Sequence, residues 1–93
     1  KAVSGADVVY TDAWVSMGQE GDREEKIKHF DGYQLNAELL AKAKDNTVVM
    51  HCLPAHRGEE ISSEVADSEQ SLIFQQAHNR LHAQKSVLVK LMA

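Results

Sequence analysis

The stretch Thr47-Val48-Val49-Met50-His51-Cys52-Leu53-Pro54 carries most of the information about the fold. Residues Thr47 to His51 form a short, β-favouring run. It is continuous rather than alternating, which predicts a strand covered on both faces. The run ends on the chain's only cysteine and only proline, two residues apart. In open α/β sheets, ligands bind beyond the carboxyl ends of the strands. A thiol, an imidazole and a conformationally restricted Leu-Pro step are therefore presented where chemistry usually occurs.

Upstream, Asn36 is a good N-cap for a helix that should end by Asp45-Asn46. Leu35 and Leu40 have the spacing of a hydrophobic staple. Leu39, Leu40 and Ala43 mark its apolar stripe, and Glu38 with Lys42 marks its wet side. Before it, Gly21 to Phe30 is charged and compatible with a helix, with Glu24 four residues ahead of Lys28. Trp14 to Gly18 reads as a loop. Ala6 to Asp12 reads as another strand, around Val8, Val9 and Tyr10. The opening Lys1-Ala2-Val3-Ser4-Gly5 resembles the tail of a preceding helix with a glycine stop, so the chain is expected to be part of something longer.

Downstream, a polar loop and a short helical turn, about Ser62 to Asp67, lead to Ser71-Leu72-Ile73-Phe74, predicted as a third strand. From Ala77 to the end the pattern is helical, with Leu81, Val87, Leu88, Leu91 and Met92 on the apolar side. Strand, helices and strand make a βαβ unit, so the sheet should be parallel and the class α/β. In a parallel sheet, Asp12, Cys52 and the start of the last helix emerge on one rim. Arg80 is placed in the first turn of that helix. No repeat, linker or low-complexity segment interrupts the chain.

Length and composition narrow the classes. Ninety-three residues, 43% hydrophobic and 26% charged, make one small globular domain. A net charge of -4 with no basic block gives no electrostatic case for nucleic acid. No apolar run is long enough to cross a bilayer, and no signal-peptide pattern opens the chain. A single cysteine rules out an internal disulfide and fits a reducing compartment.

Each candidate residue has a plain alternative. A lone cysteine is more often a small buried hydrophobe than a nucleophile. His51 beside Cys52 could suggest a thiol hydrolase. Yet neighbouring strand residues point to opposite faces, so the two are poorly placed to touch. His51, Cys52, His56, His78 and His82 are potential ligands, but no paired CxxC or HExxH pattern is present, and the reading is no metal. Trp14 alone reads as a packing residue, Asp12 as a turn cap, and Arg57 and Arg80 as surface charges. The functional case rests on several polar groups reaching one rim by independent routes.

Asp12-Ala13-Trp14-Val15-Ser16-Met17-Gly18, His51-Cys52-Leu53-Pro54 with Arg57-Gly58-Glu59, and Asn79-Arg80-Leu81-His82-Ala83-Gln84-Lys85 occur in this order over essentially the whole chain. Together they resemble the ornithine-side signatures of the ornithine carbamoyltransferase family. The resemblance implies a partial doubly wound, Rossmann-like domain: a parallel sheet with flanking helices. It implies transfer of the carbamoyl group of carbamoyl phosphate to the side-chain amine of L-ornithine, giving L-citrulline and phosphate.

In the family pattern Asp12 and Cys52 hold that amine, orienting it and favouring its reactive form. The Ser16-Met17 loop receives the amino-acid end of ornithine. The Leu53 carbonyl accepts from the carbamoyl NH2, and Arg80 with Cys52 polarises the carbamoyl oxygen. Catalysis is thus expected from Cys52, Asp12 and Arg80, with Cys52 a positioning group and not a covalent nucleophile. The Leu53-Pro54 bond is expected to be cis.

Aspartate carbamoyltransferases lack the cysteine, and putrescine carbamoyltransferases lack the SMG loop. Acylated-ornithine carbamoyltransferases remain an alternative, as does a non-catalytic amino-acid-binding domain. The family's Ser-Thr-Arg-Thr and His-Pro-x-Gln segments, which bind carbamoyl phosphate, are absent. Residues 1–93 are therefore expected to be the C-terminal part of the ornithine-binding domain, inactive alone. The last helix, about 77–92, should pack on a missing N-terminal carbamoyl-phosphate domain. The resemblance further implies a cytoplasmic homotrimer, or a higher assembly, that needs no cofactor.

Overall fold

A computed structural model describes all residues, 1–93. Two strands, β1 (Val8–Thr11) and β2 (Val48–His51), pair in parallel with Val8 opposite Val48 and Thr11 opposite His51. Parallel pairing requires a crossover. It is supplied by a 3-10 turn at Glu20–Asp22, α1 (Arg23–His29) and α2 (Ala37–Leu40). After β2 come α3 (Ser63–Ala66) and the long α4 (Ile73–Met92). The parallel sheet with flanking helices is the α/β arrangement the sequence predicts.

Local signals explain most boundaries. The Asn36 side chain accepts from the Leu39 N–H at 3.0 Å, which caps α2. Leu35 and Leu40 are both buried, as a staple requires. Ser62 caps α3 by accepting from the Val65 N–H at 3.3 Å. The helix expected to run from Asn36 towards Asp45 stops at Leu40. Beyond it, tighter turns carry the chain on, with the Lys42 and Ala43 N–H groups on the Leu39 and Leu40 carbonyls. Glu38 and Lys42 still lie 3.9 Å apart across that end. On α1 the acid–base contact is Glu25 to His29, at 3.9 Å.

The third strand is not formed. Ser71 makes only an isolated parallel bridge to Val49, whose N–H and carbonyl bond Gln70 and Leu72. The Leu72 carbonyl then accepts the Gln76 N–H at 2.8 Å, the first bond of α4. Ile73 and Phe74 are therefore helical, Ile73 buried and Phe74 exposed. Four apolar residues cannot by periodicity separate a strand from the start of a helix. Because α4 begins at Ile73, Arg80 sits two turns inside it, and not in its first turn.

The core is small: Leu35, Leu40, Val49, Ile61, Val65, Ala66 and Ile73, with Val9, Leu39 and Ala55 packed against it. The core lies against one face of β2, where Val49 and His51 are buried while Val48 and Met50 are only half-buried. β1 leaves Val8 and Tyr10 exposed. The cover expected on both faces is thus present on one. Along α4 only Ile73 is buried, and Leu81, Val87, Leu88, Leu91 and Met92 face solvent. No helix is long and apolar enough to cross a membrane.

Candidate active site

The register of the sheet sets the site. With Thr11 opposite His51, the next residue on each strand leaves the sheet at the same rim. Those residues are Asp12 and Cys52. The Cys52 Sγ–H donates to Asp12 Oδ1 at 2.9 Å, and the Ala13 N–H donates to the same oxygen at 2.6 Å. These two donors, the thiol first, hold the Asp12 carboxyl below the usual carboxylate range. The same contact, followed by burial and the carboxylate's charge, pushes the Cys52 thiol up. Cys52 is therefore a neutral hydrogen-bond donor at neutral pH and not a thiolate.

Beside this pair lies a cleft of about 200 Å³ lined by Asp12, Ser16, Met17, Leu53, Pro54 and His56, among others. It brings the Asp-x-Trp-x-Ser-Met-Gly loop and the His-Cys-Leu-Pro turn into one depression. Two devices shape the first loop. Gly18 takes a positive φ of 87°, and its N–H donates to Glu20 Oε1 at 3.1 Å. Trp14 stacks on Phe30 with ring centroids 5.6 Å apart, the packing role its sequence context suggests.

The second loop is held from beneath by His51, fully buried. The Leu53 N–H donates to His51 Nδ1 at 2.8 Å. The proton of a neutral ring then sits on Nε2, which donates to Glu60 Oε1 at 2.7 Å. Leu53 has a φ of 59°, and the Leu53-Pro54 bond is cis, as expected. His51 and Cys52 thus face different partners, and no imidazole serves the thiol. α4 is joined to this end of the sheet through Gln76, whose Oε1 accepts the His51 N–H and whose Nε2 donates to the Tyr10 hydroxyl, both at 3.0 Å.

Of the residues singled out from the sequence, Asp12, Ser16, Met17 and Leu53 line the cleft, and Cys52 bonds to Asp12. Arg80 does not line it. Arg80 is exposed on α4, one helical turn beyond Gln76 and on the same helix face. Arg57 forms a two-point ion pair with Asp67 at 2.6 and 2.9 Å, a surface role. The sequence reading missed Glu60, Gln76 and Arg23. Glu60 and Gln76 act through tertiary contacts nine and twenty-five residues away, which no local pattern announces.

Residues 1–91 match the family model described as aspartate/ornithine carbamoyltransferase, Asp/Orn binding domain. The chain belongs to this family. An ornithine carbamoyltransferase of Archaeoglobus fulgidus is 59% identical over 92 residues, covering 99% of this chain and 30% of that protein. The solved ornithine carbamoyltransferase of Pyrococcus furiosus superposes with a TM-score of 0.85 at 56% identity, covering 94% of this chain and 28% of that one. The anabolic ornithine carbamoyltransferase of Campylobacter jejuni gives 0.91 at 42% identity, covering 97% and 30%. The chain thus spans about a third of these relatives' length. As a member of the Asp/Orn-binding family, it carries the cleft at the rim where open α/β sheets take ligands.

Proposed function

We propose that the chain is the ornithine-side part of an ornithine carbamoyltransferase. The observation that carries this reading is the 2.9 Å contact between Asp12 and Cys52 at the mouth of the cleft formed by the SMG and HCLP loops. A carboxylate and a neutral thiol suit a cationic aliphatic amine. Ser16 and Met17 form the adjoining wall for the amino-acid end of L-ornithine.

In the proposed reaction the ornithine side-chain ammonium gives one proton to solvent, and the neutral amine attacks the carbamoyl carbon of carbamoyl phosphate. A C–N bond forms, the C–O bond to phosphate breaks, the nitrogen's second proton passes to the departing phosphate, and L-citrulline and hydrogen phosphate leave. Asp12 attracts and orients the amine, and Cys52 donates without becoming a nucleophile. The Leu53 carbonyl accepts from the carbamoyl NH2. Arg80, with Cys52, polarises the carbamoyl oxygen as negative charge grows there. Arg80 would reach that position in the complete enzyme, where the apolar length of α4 packs on an N-terminal carbamoyl-phosphate domain. A cytoplasmic homotrimer, or a higher assembly, completes the reading.

The test compares citrulline formation by the 93-residue chain and by a full-length enzyme carrying it. The expected result is no turnover by the chain above its Cys52→Ala control. The full-length enzyme should turn over, and Asp12→Asn or Cys52→Ala should slow it by about a hundredfold or more, the scale of losing one oriented polar group at a reacting centre. Binding of ornithine by the full-length enzyme without citrulline formation would point to a non-catalytic amino-acid-binding domain. Turnover of an acylated ornithine in preference to ornithine would reassign the substrate.

A further inference from the structure

The loop after Pro54 holds a second cluster that the proposed reaction does not use. One potential ligand atom from each of His56, Glu59 and Glu60 lies within 4.8 Å of the others. Each residue also keeps a buried side-chain atom with no hydrogen-bond partner: His56 Nδ1, Glu59 Oε2 and Glu60 Oε2. The Glu60 side chain is 0% exposed, and its Oε2 stands 3.9 Å from His56 Nδ1. That separation is too long for a hydrogen bond. Two ligands each about 2.0–2.2 Å from one ion lie at most about 4.4 Å apart, so this pair fits as it stands, and the 4.8 Å span of the cluster closes by a few tenths of an ångström through side-chain rotation on binding.

The other oxygen of each carboxylate is already engaged. Glu60 Oε1 accepts the His51 Nε2–H and the His56 N–H, both at 2.7 Å. Glu59 Oε1 accepts from Arg23. Such outer partners orient metal-binding carboxylates and leave one oxygen free on each. The turn beneath is closed by the Glu59 N–H on the His56 carbonyl at 3.0 Å and the Gly58 N–H on the Ile61 carbonyl at 2.9 Å. Gly58 adopts a positive φ of 88°, so the three ligands are carried on a fixed loop. Two carboxylates beside one guanidinium leave a net negative charge facing the gap.

We infer that His56, Glu59 and Glu60 bind a divalent transition-metal ion, of the class of Zn²⁺ or Mn²⁺. One imidazole and two carboxylate oxygens are donors such ions accept. The ion enters from the half-exposed His56 side and fixes the loop that supports His51 and Leu53. This inference does not depend on the carbamoyl-transfer reading.

The test is equilibrium dialysis of the chelator-stripped chain against Zn²⁺ and Mn²⁺, with Co²⁺ spectra as a report on the ligands. A Cys52→Ala background removes the thiol. The expected result is one ion per chain, retained in that background, with no sulfur-to-cobalt charge-transfer band. His56→Ala and the near-isosteric Glu59→Gln should each weaken uptake at least about tenfold while circular dichroism stays unchanged. The inference is overturned by no uptake, which would assign the unpartnered atoms to trapped water. It is equally overturned by uptake that survives His56→Ala, or that depends on Cys52 or on the His78–His82 pair of α4.

Discussion

Cys52 and Asp12 show how one contact fixes two protonation states. The carboxylate keeps the thiol protonated, and the thiol keeps the carboxylate ionised. Alkylation by iodoacetamide proceeds through the thiolate. Cys52 should therefore react more slowly than an unperturbed cysteine between neutral and mildly alkaline pH. Asp12→Asn should speed the reaction and move its pH profile down. For stability the signs are opposite. Asp12, with its pKa lowered by folding, contributes above its unfolded value, and that contribution is lost as pH falls through the folded one. Cys52, with its pKa raised, contributes below its unfolded value and loses that contribution as pH rises through the folded one. A carboxyl NMR titration of Asp12, compared with the same chain in denaturant, reads the first directly. The Asp12–Cys52 pair was legible in the sequence because strand ends and parallel pairing suffice to bring them together. Arg80 was not, because its place depends on where the last helix starts.

At the scale of elements, the HCLP turn rests on Glu60. This carboxylate is fully buried and takes two donors on one oxygen, so Glu60→Ala strands the His51 Nε2–H and the His56 N–H. Each unmet buried donor costs about 1–3 kcal/mol. Urea denaturation should show a loss of unfolding free energy of that combined size, or loss of the cooperative transition. Asn36→Ala, by contrast, removes one capping bond from a four-residue helix and should cost about 1 kcal/mol. Asn36, Leu35 and Leu40 could be read directly because a cap and a staple are local. Glu60 could not, since its partner is set by how the loop folds back. Ser71 to Phe74 misled for a related reason. A strand needs a partner edge along its length, and here a single bridge to Val49 is followed at once by the first helical bond.

For the molecule as a whole, the unequal cover of α4 is the dominant property. Its sheet-side end is fixed by the buried Ile73, by Leu72 on Val49 and by Gln76 on His51. Beyond that, Leu81, Val87, Leu88, Leu91 and Met92 lie open to water. A contiguous apolar face of this kind drives association. The chain should bind a hydrophobic dye and sediment as more than a monomer, and Leu88→Glu with Leu91→Glu should suppress both without lowering the denaturation midpoint. Hydrogen exchange should be fast from about Ala77 onward and slow in β2, because a lone helix of this length is marginal in water. The parallel α/β class and an apolar last helix follow from sequence. How little of the sheet is covered does not, since periodicity marks an apolar face without saying what packs on it. Gln76 marks where the anchored part of this helix stops. Its side chain accepts from the His51 N–H and donates to the Tyr10 hydroxyl, one residue before the free length of α4 begins. One amide thus ties the ends of both strands to the root of the helix, and every turn past it hangs from that single knot.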